Sequence, residues 1–225
     1  MTSYPSFLSK AAATELSTPP DMATKTFLPI FDIIEVLYLP KVEMATIPTH
    51  MLRISPTTGL SLFKECPRCF WLHYNESVHR PRGIFPSLPG GMDLVIKKYF
   101  DKFRGTLPPE IEGLVEGKLL PDLELMEKWR NWRTGLEYVD KKLDATLFGA
   151  LDECLTDDDE FYIPLDYKTK GSAPKDGDSE KYYQTQLDTY AFLLNHNGFK
   201  TRDFAYLVYY YPKEVKKNGV VEFSV

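Results

Sequence analysis

The sequence predicts a mixed α/β domain in which consecutive β-strands are followed by a helix and then by a further strand. Three observations lead to this prediction. Residues 134–169 have the pattern of successive strands, 180–198 have that of a helix, and 203–212 form an aromatic and β-branched run of strand length. Because several strands precede the helix, the order excludes an alternating Rossmann-type pattern and favours a mixed sheet with one helical crossover.

The segment before those strands is predicted to be helical. Ser55 followed by Pro56 is typical of a helix start, because serine caps free N–H groups and proline is tolerated in the first turn. Pro67 predicts a break and a second short helix. The segment 81–91 holds too many Pro and Gly residues for a regular element and is predicted to be a loop. Apolar residues at three- and four-residue spacing predict an amphipathic helix over 92–104.

The other boundaries are predicted from residues that end regular elements. In chain order, we predict a Pro-rich loop over 107–110, a short helix over 122–133, a helix end at Asn197-Gly198, a strand end at Pro212 and a last strand over 220–225.

Length and composition suit one domain with an appendage. The chain has 225 residues and is 43% hydrophobic, which is enough for a sizeable core. Residues 1–50, rich in Ser, Thr, Pro and Ala, are predicted to be an N-terminal tail or extension with one apolar island near 27–38. We predict the domain itself over 51–225. Its last strand stops abruptly, so its C-terminus could be truncated.

Charge and cysteine content narrow the functional classes. The formal charge of −5 gives no overall attraction to nucleic acid, so such a role needs local patches or a bound metal. Three cysteines do not make a disulfide framework and favour a reducing, cytoplasmic setting. The first 16 residues lack the features of a secretory signal. The most apolar early run, 27–40, is too short to span a membrane, and we expect no membrane partner.

Carboxylates and a lysine are predicted to meet on one face of a hairpin. Side chains alternate along a strand, so Asp166 and Lys168 point the same way and Tyr167 points the other way. The acidic turn lies in 156–160. With its centre near Asp159, the residue opposite Asp166 is Asp152.

Two carboxylates held this close favour a divalent cation between them, because otherwise one of them would be protonated. Carboxylates, a backbone carbonyl such as that of Tyr167, and water are the ligands that Mg²⁺ or Mn²⁺ prefers. Lys168 would orient a water molecule or neutralise charge on a phosphate, which suits phosphodiester hydrolysis. The alternative is a solvated ion pair between Asp166 and Lys168, and the spacing alone leaves both interpretations open.

At these residues the sequence resembles the PD-(D/E)XK nuclease superfamily, and within it the RecB-like nuclease domains related to CRISPR-associated exonucleases. The family pattern is a Gly-x-x-Asp strand, a hairpin, Asp-x-Lys, and a helix carrying Gln-x-x-x-Tyr. A Ser-rich helix leading to Cys-Pro-x-x-Phe or Tyr tends to come first. The matches, all within 53–212, are Gly149 with Asp152, Asp166 with Lys168, Gln186 with Tyr190, and 59-GLSLFKECPRCFWL-72.

The resemblance implies a restriction-endonuclease-like αβββαβ core, in which a central mixed sheet is flanked by helices. It implies that Asp152 and Asp166 are metal ligands and that Lys168 is the catalytic lysine. It also implies that Gln186 and Tyr190 are accessory residues facing the site and the nucleic-acid strand. Four positions apart, these two share a helix face. Core packing is the alternative role for Tyr190.

RecB-like relatives usually place a His or Glu on the early helix as a further metal ligand. The helix over 92–104 has neither, and Asp93 is the candidate. The alternative for Asp93 is an acid in the first helical turn, favoured by the helix dipole. If Asp93 does not reach the metal, we expect one ion rather than two.

The cysteines are a second departure from the family pattern. Some relatives hold an iron–sulfur cluster with one early and three late cysteines, but no cysteine follows Cys154, so we expect no such cluster from this chain alone. A zinc site from Cys66, Cys69, His73 and Cys154 is an interpretation that we do not favour. Helix-packing thiols are favoured for Cys66 and Cys69. Cys154 is expected on the same face as Asp152, as a small residue near the site.

These features predict a Mg²⁺- or Mn²⁺-dependent, exonuclease-like DNA nuclease acting on single-stranded or duplex ends. The expected setting is DNA repair, recombination or phage or CRISPR-type DNA processing, with a larger complex as an optional partner. Two alternatives stay open: a nuclease fold that binds DNA or protein without cutting, and a redox or zinc module at the Cys-x-x-Cys. The lysines that cluster around the site are candidates for salt-dependent contacts with a DNA backbone: Lys168, Lys170, Lys175 and Lys181.

Overall fold

The structure, a computed structural model, describes residues 12–15, 52–81, 83, 87–175 and 177–225. These ranges hold nine β-strands and five α-helices. The strands are β1 (Ala12–Glu15), β2 (Leu52–Ile54), β3 (Lys118–Leu119), β4 (Leu136–Asp140), β5 (Ala145–Gly149), β6 (Glu153–Thr156), β7 (Tyr162–Thr169), β8 (Phe204–Val215) and β9 (Val221–Ser224). The helices are α1 (Ser61–Glu65), α2 (Pro67–Asn75), α3 (Ser87–Phe100), α4 (Leu123–Arg130) and α5 (Asp178–His196).

The larger sheet is mixed, as predicted. Its strand order is β1-β8-β7-β6-β3, and β9 pairs with β8. β6 and β7 form the antiparallel hairpin, whereas β7 and β8 are parallel and are joined by α5. A parallel pair needs such a crossover, because a short turn can only reverse the chain.

The strands predicted over 134–169 belong to two sheets rather than one. β4 and β5 pair with each other and with β2 in a separate three-stranded sheet, and only β6 and β7 enter the larger sheet. The local strand pattern could not reveal this division, because β2 comes from far earlier in the chain and pairs with β5 in parallel.

Two hydrophobic layers cover the two faces of the larger sheet. One layer contains α5 residues such as Leu187 and Leu193 with Cys154 from β6. The other contains Ile96 and Phe100 of α3 with alternate residues of β7 and β8. The alternation of side chains along β7 therefore assigns Leu165 to the second layer, and its neighbours on either side to the first.

Helix α3 begins earlier than predicted. The loop prediction for 81–91 is wrong over its last five residues, since the helix begins at Ser87. The helix predicted over 92–104 ends at Phe100, and a 3₁₀ turn over Asp101–Phe103 follows it. Pro89 is tolerated because it lies in the first turn, where N–H groups have no partner within the helix.

The helix starts predicted at Ser55 and Pro67 are confirmed. Ser55 accepts a hydrogen bond from Thr58 N–H ahead of a π-helical turn over Pro56–Leu60, and α2 begins at Pro67. The helix predicted over 122–133 is shorter, with Asp122 as its N-cap.

Two prolines lie within strands of the larger sheet. β8 continues past Pro212, so the predicted strand end there is wrong. The pairing of β8 with β9 is irregular at this proline. Beyond Tyr210, β8 pairs only with β9 among the described strands. Pro164 lies in β7, flanked by β6 and β8. Tyr162 donates to Lys200 O and Lys170 to Tyr210 O, so even-numbered residues of β7 direct their N–H groups towards β8. Pro164 falls between the bridge at Tyr162 and the parallel ladder that starts at Leu165.

The predicted extension over 1–50 is described only in part. Residues 12–15 pair with β8 in an antiparallel register, and the apolar island near 27–38 lies outside the described residues. The boundary near residue 51 stays a prediction. Among the described helices none is both long and apolar enough to cross a membrane.

Candidate active site

The hairpin brings Asp152, Asp166 and Lys168 together. Glu153 pairs with Leu165 and Thr156 pairs with Tyr162, so the turn is centred on Asp159 and the next position outward sets Asp152 opposite Asp166. Lys168 Nζ lies 2.5 Å from Asp166 Oδ2. The juxtaposition predicted from side-chain alternation is therefore confirmed.

Asp166 is fully buried, with an exposed fraction of 0%. Neither of its carboxylate oxygens accepts a hydrogen bond from the residues that the structure describes. Lys168 is close enough for an ion pair, but the pair does not have the geometry of a hydrogen bond. An ionised carboxylate also has no proton to donate, so Asp152 can satisfy Asp166 only if one of the two is protonated.

The two carboxyl groups have opposite pKa shifts. Burial raises the pKa of Asp166 well above its usual range; Lys168 opposes this rise and Asp152 adds to it. Burial alone would also raise the pKa of Asp152, but contact with Asp166 and the charge of Lys97 outweigh burial and lower it. Adjacent buried carboxylates repel each other in this way, and a proton or a cation between them relieves the repulsion.

A second lysine, which the sequence analysis did not assign to the site, reaches Asp152 from α3. Lys97 Nζ lies 2.9 Å from Asp152 Oδ1 and 2.9 Å from Asp93 Oδ2. Asp93 is therefore at the edge of the site, bonded to the same ammonium group as Asp152, and its role as a metal ligand stays a prediction. The signal for Lys97 was its position four residues after Asp93, on the same helix face.

Helix α5 brings Gln186 and Tyr190 close to the sheet. Gln186 Nε2 donates to Tyr190 Oη at 2.7 Å, and both residues are buried. Burial raises the pKa of Tyr190, and the charges of Asp166 and Asp152 add to this rise. Tyr190 belongs to the hydrophobic core, as the core-packing alternative had it, while contact with a nucleic-acid strand stays a prediction.

Gly149 explains how α5 can approach so closely. A Cβ atom at this position would lie 2.8 Å from Leu193 Cδ1 and 3.2 Å from Tyr190 Cε1. The glycine of the Gly-x-x-Asp motif therefore has a packing role, because it leaves room for Leu193 and Tyr190 of α5 beside β5.

A buried ionic network lies directly beside the site. Glu153, which is 0% exposed, accepts from Arg104 Nη1 at 2.7 Å and from Arg130 Nη2 at 3.0 Å. Asp101 accepts from both arginines, at 2.7 and 2.9 Å. Arg130 Nε also donates to the carbonyl oxygen of Asp152 at 3.0 Å, so the network fixes the start of β6. These residues come from three separate segments, so their positions in the sequence did not indicate that they meet.

Two of the predicted site lysines, Lys168 and Lys170, have their ammonium groups near tyrosine rings. Lys168 Nζ is 5.1 Å from the ring centre of Tyr183, and Lys170 Nζ is 5.4 Å from that of Tyr209. The side chain of Lys181 is outside the described set. The hydroxyl of Tyr167 is buried on the opposite face of the sheet and has no hydrogen-bonding partner within the described part of the chain.

Cys66, Cys69, His73 and Cys154 do not form a metal site among the residues that the structure describes. Cys154 is fully buried in the core layer that faces α5, on the side of the sheet that was predicted for it. Cys66 and Cys69 are at the start of α2. Over the described ranges, no three His, Cys, Asp or Glu side chains are arranged to hold a metal ion together.

The carboxylate pair nevertheless fits a divalent cation. Asp166 presents two buried oxygens that accept nothing, and Asp152 lies opposite it with a quarter of its side chain exposed. Hard cations such as Mg²⁺ prefer carboxylates, backbone carbonyls and water, so two carboxylates suffice when other oxygens complete the shell.

Comparison with known protein families identifies the family of this chain. A family model described as the PD-(D/E)XK nuclease superfamily matches residues 91–225, which is more than half of the chain and includes all of the proposed site residues. The segment 59–72, with the Cys-Pro motif, lies before the matched part. Comparisons with curated proteins and with solved structures give no match. The mixed sheet and its flanking helices agree with the restriction-endonuclease-like fold of this superfamily, whose members are nucleases that generally use divalent metal ions. The chain therefore belongs to the PD-(D/E)XK nuclease superfamily.

Proposed function

We propose that this chain is a Mg²⁺- or Mn²⁺-dependent DNA nuclease of the RecB-like type, with Asp152 and Asp166 as metal ligands and Lys168 as the catalytic lysine. The observation that carries the proposal is the buried Asp166 carboxylate, whose two oxygens accept no hydrogen bond. Such a group is costly to bury, and a bound cation would compensate for that cost.

The backbone supports one further ligand. Even-numbered residues of β7 direct their peptide groups towards β8, so the carbonyl of Tyr167 is directed to the side of β6. β6 pairs with β7 only up to Leu165, and the carbonyl two residues further on lies beyond that ladder. It thus lies on the side of Asp152, in agreement with its predicted role.

The chain's residues would divide the reaction between them. A divalent ion held by the two carboxylates would polarise the phosphate and make a bound water more acidic. Lys168, which stays charged because Asp166 raises its pKa despite burial, would bind the phosphate oxygen on which negative charge develops. Gln186 and Tyr190 would support the carboxylates from α5, and Asp93 would add a ligand from α3.

We further propose action on DNA ends, in repair, recombination or phage or CRISPR-type processing. Nuclease assays with Mg²⁺ and with Mn²⁺ test both the cleavage activity and the preference for ends. The substrates are end-labelled linear single-stranded DNA, end-labelled linear duplex DNA and circular single-stranded DNA. We expect metal-dependent release of short products from linear DNA. Circular DNA should stay intact. Cleavage of circular DNA would indicate an endonuclease rather than an exonuclease. Preferential cleavage of RNA would indicate that RNA, not DNA, is the substrate.

Variants distinguish the site from a contaminating nuclease. Asp166→Ala and Lys168→Ala should lose cleavage, whereas Asp158→Ala, in the exposed turn of the same hairpin, should keep it. If both site variants cut as well as the wild type, the proposed catalytic roles are wrong.

A non-cutting binding module is the second candidate, and Lys97 is the observation that favours it. Its ammonium group already neutralises Asp152 and Asp93 without a metal. Mn²⁺ titration by calorimetry separates the two functions. A nuclease should bind Mn²⁺ in the wild type, and more tightly after Lys97→Met removes the competing charge. A binding module should retain DNA binding with no Mn²⁺ uptake.

A further inference from the structure

Two thiols are in contact at the start of α2, remote in sequence from the proposed nuclease residues. Cys66 is the N-cap of this nine-residue helix, and its Sγ accepts a hydrogen bond from Cys69 N–H at 3.2 Å. The Cys69 thiol also contacts Cys66, and this contact is the largest of the effects that lower the pKa of Cys66. Both cysteines are partly exposed, so a reagent in solution can reach them.

A positive charge completes this environment. The guanidinium group of Arg80 contacts both sulfur atoms, and its Nη1 is held by Glu65 Oε2 at 2.6 Å. Arg80 and Glu65 also line an open cavity of about 510 Å³. Thiolates react faster than thiols, and a helix N-terminus and a nearby guanidinium both favour the thiolate. The cavity gives a small molecule room to approach Arg80, the residue that contacts the two sulfurs.

The third cysteine provides an internal contrast. Cys154 is 0% exposed in the core, and burial raises the pKa of its thiol. A buried thiol of this kind is inert, whereas the pair on α2 has exposure, contact and charge. The three cysteines therefore fall into two classes of reactivity.

We propose that Cys66 and Cys69 form a redox-active dithiol, which exchanges with small disulfides of the glutathione class to give a reversible Cys66–Cys69 disulfide. The Cys66 thiolate attacks one sulfur of the small disulfide, whose S–S bond breaks, and the first small thiol leaves with a proton from solvent. Cys69 loses its proton and attacks the Cys66 sulfur, releasing the second small thiol. The protein loses two electrons and two protons, and the small disulfide gains them.

This chemistry is independent of the nuclease proposal, because none of its residues contacts the carboxylate pair. The test uses the full chain, reduced and then equilibrated in buffers of set glutathione to glutathione-disulfide ratio. Free thiols are trapped with N-ethylmaleimide and located by peptide mass mapping. We expect a Cys66–Cys69 disulfide at oxidising ratios that dithiothreitol reverses, with Cys154 labelled only after denaturation.

Single variants resolve the order of attack. Cys69→Ser should stop at a mixed disulfide between glutathione and Cys66, and the far-ultraviolet circular dichroism spectrum should confirm that the variant is folded. Two results would overturn the proposal: free thiols at both positions throughout the oxidising series, or stoichiometric zinc in the purified wild type that protects both cysteines from N-ethylmaleimide.

Discussion

Two charged clusters meet at the start of β6, and they are built in opposite ways. Glu153 and Asp166 are equally buried, each with 0% exposure. Glu153 is held by Arg104 and Arg130, and its two oxygens share hydrogen bonds with both arginines and with Cys154 N–H. Asp166 has one ammonium group beside it and accepts no hydrogen bond.

The difference separates a cluster that stabilises the fold from one that is open to a ligand. A carboxylate whose oxygens are all paired gains nothing from a metal, because a cation would have to displace an arginine. A buried carboxylate without donors is destabilising by itself, and is expected where a ligand completes it. Sequence adjacency hides this contrast, since Asp152 and Glu153 are neighbours but belong to different clusters.

The largest expected effect is on activity at Asp166. Asp166→Asn keeps the shape of the side chain but removes its charge, so we expect cleavage to fall by roughly 10³-fold or more. The free energy of unfolding should change less than at Glu153, because Asp166 accepts no hydrogen bond from the described residues and Lys168 still has the charge of Asp152 nearby. Initial rates and urea unfolding measure the two quantities. A large loss of stability would place Asp166 with the structural cluster instead.

The next effect is on stability at Glu153. Glu153→Gln leaves two buried guanidinium groups with an incomplete partner, and we expect the free energy of unfolding to fall by about 3–5 kcal/mol. Urea denaturation followed by circular dichroism measures it. Glu127→Gln, on the exposed face of α4, is the matched control and should change little. If Glu153→Gln is as stable as this control, the network does not hold β6.

Packing at the helix–sheet contact should give an intermediate effect. Gly149→Ala places a Cβ 2.8 Å from Leu193 Cδ1, and overpacking of this kind costs about 1–3 kcal/mol. Gly91→Ala is the control, because a Cβ there meets nothing within 4 Å, and it should be neutral or slightly stabilising. Equal melting temperatures for the two variants would contradict the proposed close approach of α5.

The smallest effect on stability is expected at Asp93. Its side chain is 37% exposed, so loss of the ion pair with Lys97 in Asp93→Asn should cost less than about 1 kcal/mol. If Asp93 is a metal ligand, the Mn²⁺ concentration that gives half-maximal cleavage should rise about ten-fold or more. An unchanged metal dependence would leave Asp93 with its ion pair to Lys97 alone, because α3 begins at Ser87 and the alternative of a first-turn acid at Asp93 is wrong.

Local patterns predicted the hairpin and its charged face well. The acidic turn fixed the register, and side-chain alternation then placed Asp152 opposite Asp166. The i, i+4 spacing of Gln186 and Tyr190 likewise predicted a shared helix face, which their hydrogen bond confirms. Each of these features depends on neighbours within one strand, turn or helix.

Features that depend on distant segments could not be predicted in this way. The network of Glu153 joins residues from the 3₁₀ turn after α3, from α4 and from β6, and nothing in their spacing reveals that they meet. The second sheet pairs β2 with β5, some 90 residues apart. Lys97 reaches Asp152 only because α3 packs across the open end of the hairpin.

Pro164 has a consequence for how the chain finds its strand alignment. A slide of β7 by two residues along β8 would keep every side chain on its proper face, and so would escape the penalty that burial places on a one-residue error. Such a slide towards the regular ladder would bring the proline alongside β8, where it has no N–H to donate. The missing donor thus discourages a misalignment that alternation tolerates. It favours the native alignment of β7 with β8, in which Asp166 is paired with Leu207.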